Sequence, residues 1–190
     1  MRIDQLRKNL EIQTRWFAFP LHPETPEDGF TLEELFAGRS VDIAGMRARL
    51  KQVADGLSLP LGEREMTYNT RLAQELAKWA ESKGNGDPFH DAVFRAYFVE
   101  GKNIGKVDIL AELAGSMGLS DEEARRVLTS RRFKEEVNSD WSRARQIGIT
   151  AVPTFVINGE TLVGAAPYED LELFLVSHHV RRRAGGKPSK

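Results

Sequence analysis

Residues 148–163 read GITAVPTFVINGETLV, and they limit the fold more than any other stretch of the chain. Asn158-Gly159 lies between two short apolar and β-branched runs, "TFVI" and "TLVG". Asn-Gly is the strongest short-range signal for a two-residue hairpin, because both central positions of that turn need a positive φ. Val152-Pro153 stands directly before the first run. Proline has no amide hydrogen, so it suits a strand's first residue and not its middle. The C-terminal part of the chain must therefore hold an antiparallel strand pair headed by a proline.

Upstream the pattern follows a helical period. Ile3, Leu6 and Leu10 repeat at i, i+3, i+7 over residues 1–10. No capping residue precedes them, so the stretch reads either as a frayed N-terminal helix or as a chain that starts inside an element. Residues 11–19, "EIQTRWFAF", alternate as a strand would, with Ile12, Trp16 and Ala18 opposite Gln13, Arg15 and Phe17. Pro20, Pro23 and Pro26 end regular structure. Thr31 with Glu34 forms a capping box that opens a short helix. Residues 42–55 read as a helix with Ile43, Met46, Leu50 and Val53 on one side and Gly56 just after it. A longer helix runs from Asn69 or Thr70 to Lys83, with Leu72, Leu76 and Trp79 inward and Gly84 as its stop. Further helices fit 89–100, where Phe94, Tyr97 and Phe98 read as core, and 107–117. Ser120 and Glu123 form a second capping box for a helix to about Thr129, and a last helix of this block covers 132–147. After the hairpin, Pro167 suits the first turn of a helix carrying Leu171, Phe174, Leu175 and His178. The end, "RRRAGGKPSK", reads as a solvated basic tail. Helix, strand, helical block, hairpin and helix together make an α/β (α+β) chain, with a sheet layer and an all-helical insertion.

Composition removes whole classes of chemistry. The 190 residues include no cysteine, so disulfides, thiolate metal sites and a cysteine nucleophile are excluded from this chain. The four histidines have no ligand spacing, and no metal is expected. With 27 basic and 28 acidic residues the net charge is −1, which gives no pull toward nucleic acid or anionic membrane. No apolar run is long enough for a membrane span, and the N-terminus has no signal-peptide core, so a cytoplasmic location is expected. "GNGDP" and "VEGKNIGK" do not fit a phosphate cradle, and no G-x-S-x-G elbow is present.

At the level of motifs the chain resembles the DsbA superfamily, in its FrnE-like branch of DsbA oxidoreductases and dithiol-disulfide isomerases. "RWFAFPLHPETPEDG", "YNTRLAQELAKWAE", "FHDAVFRAYFVEGKNIG", "GLSDEEARRVL" and "GITAVPTFVINGETLVGA" carry the likeness in order, over roughly residues 1–176. The resemblance implies a thioredoxin-like sheet of order 2-1-3-4, with 11–19 as strand 2, 154–157 as strand 3 and 161–164 as strand 4. It divides the chain into 1–30 and 148–178 as thioredoxin-like halves, 31–147 as the helical insertion, and 179–190 as a disordered tail. It implies a cis Val152–Pro153 bond facing the active site.

In such a family the nucleophile is a thiolate in a Cys-x-x-Cys at a helix N-terminus. That motif and the first strand would lie before Met1. The expectations are therefore a shortened N-terminus, no catalytic residue in this chain, and no thiol exchange by it as written. Ala151, Val152 and Pro153 are the implied substrate contact, with Asn69 and Thr70 at a helix start near the cleft, where either residue also serves as an N-cap. The implied substrates are thiol or disulfide proteins or small molecules. No cofactor is expected. The alternatives are a 2-hydroxychromene-2-carboxylate isomerase or kappa-class glutathione transferase type of enzyme, which would bring in glutathione, and a non-catalytic peptide-binding module. A homodimer that fills the place of the absent strand is a further expectation.

Overall fold

The structure, a computed structural model, describes residues 2–184. Within them the chain forms two compact units, one from the segments up to Leu21 and from Asp140 onward, the other from His22–Ser139.

The second unit is built on four helices: α4 (Arg71–Ser82), α5 (Gly86–Phe98), α6 (Val107–Ser116) and α7 (Asp121–Ser130). Their apolar positions recur at helical spacing, and Leu76, Trp79, Phe89, Leu110 and Leu128 are fully buried between them. Ala80, Ala111, Ala114 and Ala124 are buried as well, and such small side chains let neighbouring helix axes approach. Ser120 caps α7 by accepting a hydrogen bond from the Glu123 amide. The expected second capping box is only half formed, because the Glu123 carboxylate instead accepts from Trp79 Nε1 and pairs with Lys83.

An ion-pair cluster joins three helices of this unit. Glu75 on α4 accepts from Arg71 Nε at 2.6 Å, and from Arg131 Nε and Nη2 at 2.8 and 2.7 Å. Arg71 also donates to Asn138 of α8 (Lys134–Gln146). Before the helices, β1 (Phe30–Thr31) pairs antiparallel with β2 (Met66–Thr67). These two-residue strands carry no periodic signal that sequence reading could detect. Thr31 and Glu34 complete the expected capping box at the start of α2 (Leu32–Leu35).

In the first unit, α1 (Arg2–Asn9) and α9 (Tyr168–Ser177) lie on one face of the hairpin β3 (Thr154–Ile157) and β4 (Glu160–Val163). Leu6, Leu10, Tyr168 and Leu171 are its buried core, flanked by Phe155 and Leu162 from the hairpin. The hairpin register, Phe155 opposite Leu162 and Ile157 opposite Glu160, follows from the Asn158-Gly159 turn, where both residues have positive φ.

Several expectations are corrected. Residues 11–19 form no strand, so no 2-1-3-4 sheet exists among the described residues. The cause is the lack of a neighbour, since a strand's backbone groups need a ladder to satisfy them. Instead the Glu11 amide donates to Arg181 O, the Ala18 amide donates to Asp140, and Phe17 lies beneath the guanidinium groups of Arg15 and Arg143. The basic end is not a free tail over its first residues. Leu10 bridges to Arg182, and Arg183 donates to the carbonyls of Arg7, Asn9 and Leu10. Residues 185–190 of the expected tail lie outside the described residues. Pro167 is the N-cap of α9 and stands one position before its first turn. Phe94 is half exposed where a core residue was expected. The apolar side of α3 (Ile43–Gly56) is exposed to water at Met46, Leu50 and Val53.

Candidate functional site

The predicted site residues fall into the two units. Asn69 and Thr70 belong to the helical one, and Ala151, Val152 and Pro153 to the one that carries the hairpin.

At Asn69 the side chain is engaged at both ends. Its Oδ1 accepts from the Arg71 amide at 2.9 Å, which caps the start of α4, and its Nδ2 donates to Thr25 O at 2.6 Å. The same 22–29 loop is held by Asn103, which donates to Glu27 O, and by Lys106, which pairs with Glu27 and Asp28. Thr70 is the N-cap position without a side-chain cap bond, and its hydroxyl accepts from Gln74. Of the two residues foreseen as a helix cap, Asn69 makes the cap bond and Thr70 does not. Asn69→Ala removes one cap bond and one loop tie, and is expected to cost about 1–2 kcal/mol. Urea unfolding of the variant checks this. A melt within about 0.5 kcal/mol of wild type would show that the two bonds contribute nothing net. Asn103 and Lys106 escaped sequence reading because loop-to-loop ties have no periodicity.

The Val152–Pro153 peptide bond is cis. Both residues are exposed, with Val152 at 47%. Thr154 Oγ1 donates to Ala151 O at 2.7 Å and closes the turn on itself, so with Pro153 two of the three expected contact residues have their carbonyl engaged. Pro153 O accepts from the Gly164 amide at 2.8 Å. Because bonded and non-bonded residues alternate along an antiparallel pair, Thr154 and Val156 turn their N–H and C=O groups to the side away from β4. That edge of β3 has no strand beside it among the described residues. The Val152 backbone likewise makes no hydrogen bond among them. The result is a short run of backbone donors and acceptors, from Val152 to Val156, open to an extended partner. Sequence reading reached the three turn residues but missed Thr154 and Val156, although the alternation within "TFVI" marks them.

Titratable chemistry is sparse. Glu75 is buried. Desolvation raises its pKa, but the bonds and charges of Arg131 and Arg71 outweigh that and hold it below the ordinary 4.5. Desolvation lowers the pKa of His90 against the weaker pull of Asp91 and Asp87. No group of three or more acidic or histidine side chains that could hold a metal occurs among the described residues. No helix among them is long and apolar enough to cross a membrane.

Comparison with known proteins places this geometry. The model of the DSBA-like thioredoxin domain matches residues 1–176. YwbO, an uncharacterized protein of Bacillus subtilis, is 36% identical over 98 residues, which is 51% of this chain and 49% of that protein. The match thus spans about half the length of that curated relative. A structure described as a probable DsbA oxidoreductase from Streptomyces coelicolor superimposes with a TM-score of 0.76 at 27% identity, covering 90% of this chain and 75% of that one. A 2-hydroxychromene-2-carboxylate isomerase shares the fold, with a TM-score of 0.72 at 18% identity over 94% of this chain and 85% of its own. With a helical unit accompanying a hairpin that a cis proline leads, and with the family model matched from residue 1 to 176, the chain belongs to the DSBA-like thioredoxin domain family.

Proposed function

We propose that this chain is the substrate-holding part of a thiol–disulfide oxidoreductase system: it binds an extended peptide along β3 and performs no thiol exchange itself. The observation that carries this reading is the open edge of β3, where Thr154 and Val156 present backbone groups that no strand occupies among the described residues. An extended peptide satisfies such groups by adding a strand, and exposed Val152 and Val156 would then contact alternate side chains. Family membership supports a thiol- or disulfide-bearing substrate, which in this reading is a protein whose cysteines are oxidised or reduced. The sulfur chemistry has to come from thiols outside this sequence, because attack on a disulfide requires a thiolate and the chain contains no cysteine. Ala151, Val152 and Pro153 shape the entry to the strand site. Asn69 and Thr70 act as supports of α4.

The experiment combines two measurements on the same sample. In insulin reduction with dithiothreitol, the chain is expected to leave the rate at the buffer level. Titration with an unfolded, cysteine-containing peptide is expected to shift the amide resonances of Val152 and 154–157. Turnover well above buffer would overturn the first half of the reading. Saturating peptide with no shift at these residues would overturn the second. Reduced glutathione, titrated in parallel, is expected to cause no shift there, since a tripeptide offers too little backbone to pair along the whole edge. A glutathione shift at Val152 without a peptide shift would replace the peptide reading with a small-thiol one.

A further inference from the structure

In the unit that carries the hairpin, residues 15–18 are held against α8. The Ala18 amide donates to Oδ2 of the buried Asp140, and one helical turn further along α8 Arg143 meets Phe17. Phe17 is 44% exposed, and two guanidinium groups converge on its ring. Cζ of Arg15 lies 5.0 Å from the ring centroid and Cζ of Arg143 lies 5.1 Å from it. Laid end to end, those distances put the two guanidinium carbons at most about 10 Å apart. Both arginines are exposed, and among the described residues neither makes an ion pair or a side-chain hydrogen bond. By contrast, Arg181 of the same unit pairs with Glu11, Arg182 with Glu172, and Arg183 donates to the carbonyls of Arg7 and Leu10.

We propose that Arg15 and Arg143, held by Phe17, bind two carboxylates borne by alternate residues of an extended polypeptide. A guanidinium stacked on a ring keeps its in-plane N–H donors free for a carboxylate. The stacking also restrains both side chains beforehand, so little freedom is lost on binding. Spacing favours this ligand. Side chains two residues apart on an extended chain stand on one face about 7 Å from each other, so each carboxylate reaches one of the two guanidinium groups. Neighbouring acidic residues point to opposite faces and engage one arginine only. That the ligand is a polypeptide rests on the peptide-binding function proposed for this chain. Backbone pairing along β3 is the same for every peptide, and the two arginines add a sequence preference to it.

The test compares unfolded peptides of equal length and cysteine content that carry Glu-Ser-Glu, Glu-Glu-Ser or Gln-Ser-Gln. Glu-Ser-Glu is expected to move the side-chain Nε–Hε resonances of Arg15 and Arg143. It should bind about tenfold more tightly than Gln-Ser-Gln in low salt, each exposed pair contributing about threefold. Glu-Glu-Ser should fall between them. Arg15→Gln or Arg143→Gln removes about threefold, and about 0.5 M salt erases most of the gap because exposed charges are screened. The double variant Arg15→Glu, Arg143→Glu, with an unchanged circular dichroism spectrum, should instead favour Lys-Ser-Lys. A purely structural role for the pair would give no such reversal. Equal affinity for Glu-Ser-Glu and Gln-Ser-Gln overturns the proposal, and if the β3 amides shift with both, the strand reading stands without it. If the arginine signals move with Glu-Ser-Glu while the β3 amides stay still, the carboxylate site stands and the strand reading falls. Equal binding of Glu-Glu-Ser and Glu-Ser-Glu overturns the alternate spacing. Inorganic phosphate that moves the two arginine signals as far as Glu-Ser-Glu does also overturns the proposal, since the pair then takes any anion.

Discussion

Replacing Glu75 with alanine is expected to lower the free energy of unfolding by about 3 kcal/mol, because removing one partner of a buried ion pair leaves the other charge uncompensated. Its side chain is 1% exposed, and three arginine nitrogens donate to it. Arg131 is 42% exposed and can turn to water, whereas Arg71 at 15% cannot do so freely, so the loss falls at the lower end for buried pairs. Glu75→Gln separates charge from shape. The folded-state pKa of Glu75 lies below the ordinary 4.5 through the bonds and charges of Arg131 and Arg71, although desolvation opposes them. A depressed carboxylate contributes stability that is complete above its unfolded value and is lost as pH falls through the folded one. The gap between wild type and Glu75→Gln should therefore be full at pH 7 and shrink toward zero as pH falls through the depressed folded-state value of Glu75. Urea melts at pH 7 and pH 3, with amide exchange followed on α4 and α7, decide the matter. An equal gap at both pH values would show that the arginines recognise the shape of Glu75 and not its charge.

The second large effect lies in the other unit. Leu10 is 0% exposed and packs with Leu6, Tyr168 and Leu171, a core of only four buried residues. Leu10→Ala is expected to cost about 3 kcal/mol from lost transfer energy and the cavity left behind. In so small a core little can shift to refill the space. The amides of α1 and α9 should then exchange on the order of a hundredfold faster, since local opening reports the local free energy. Leu173→Ala on α9, where the side chain is 68% exposed, is the control and should stay within about 0.5 kcal/mol. If Leu10→Ala leaves α9 exchange unchanged, the docked 180–183 segment, and not the four-residue core, holds α1 to α9. That segment has its own ties. Arg182 donates to Glu172 at 2.7 Å, and Glu172 accepts from the Tyr168 hydroxyl, which itself accepts from Asn9.

Much of this was legible in the residues. The Asn158-Gly159 turn needs positive φ at both positions, so a two-residue loop and its register followed directly. The helices from α4 to α8 followed from apolar spacing together with stops such as Gly84, which has positive φ. At Asn69 the cap was legible because an Asn at a helix start serves the orphan amides whatever surrounds it. Its bond to Thr25 O was not legible, because nothing local relates residues 25 and 69.

The sequence by itself therefore determined whatever depends on a few neighbouring residues: the hairpin, the caps, the helical periods, and the absence of any thiol chemistry within the chain. Only the tertiary structure decided what needs a partner far along the chain. Residues 11–19 alternate like a strand but form none, because a ladder takes two sides and no strand pairs with them among the described residues. The apolar stripe of α3 has the period of a core helix but lies in water, since periodicity tells which residues share a face and never what covers it. Both segments carry a local signal whose completing surface lies elsewhere, and only the folded chain shows whether that surface is present.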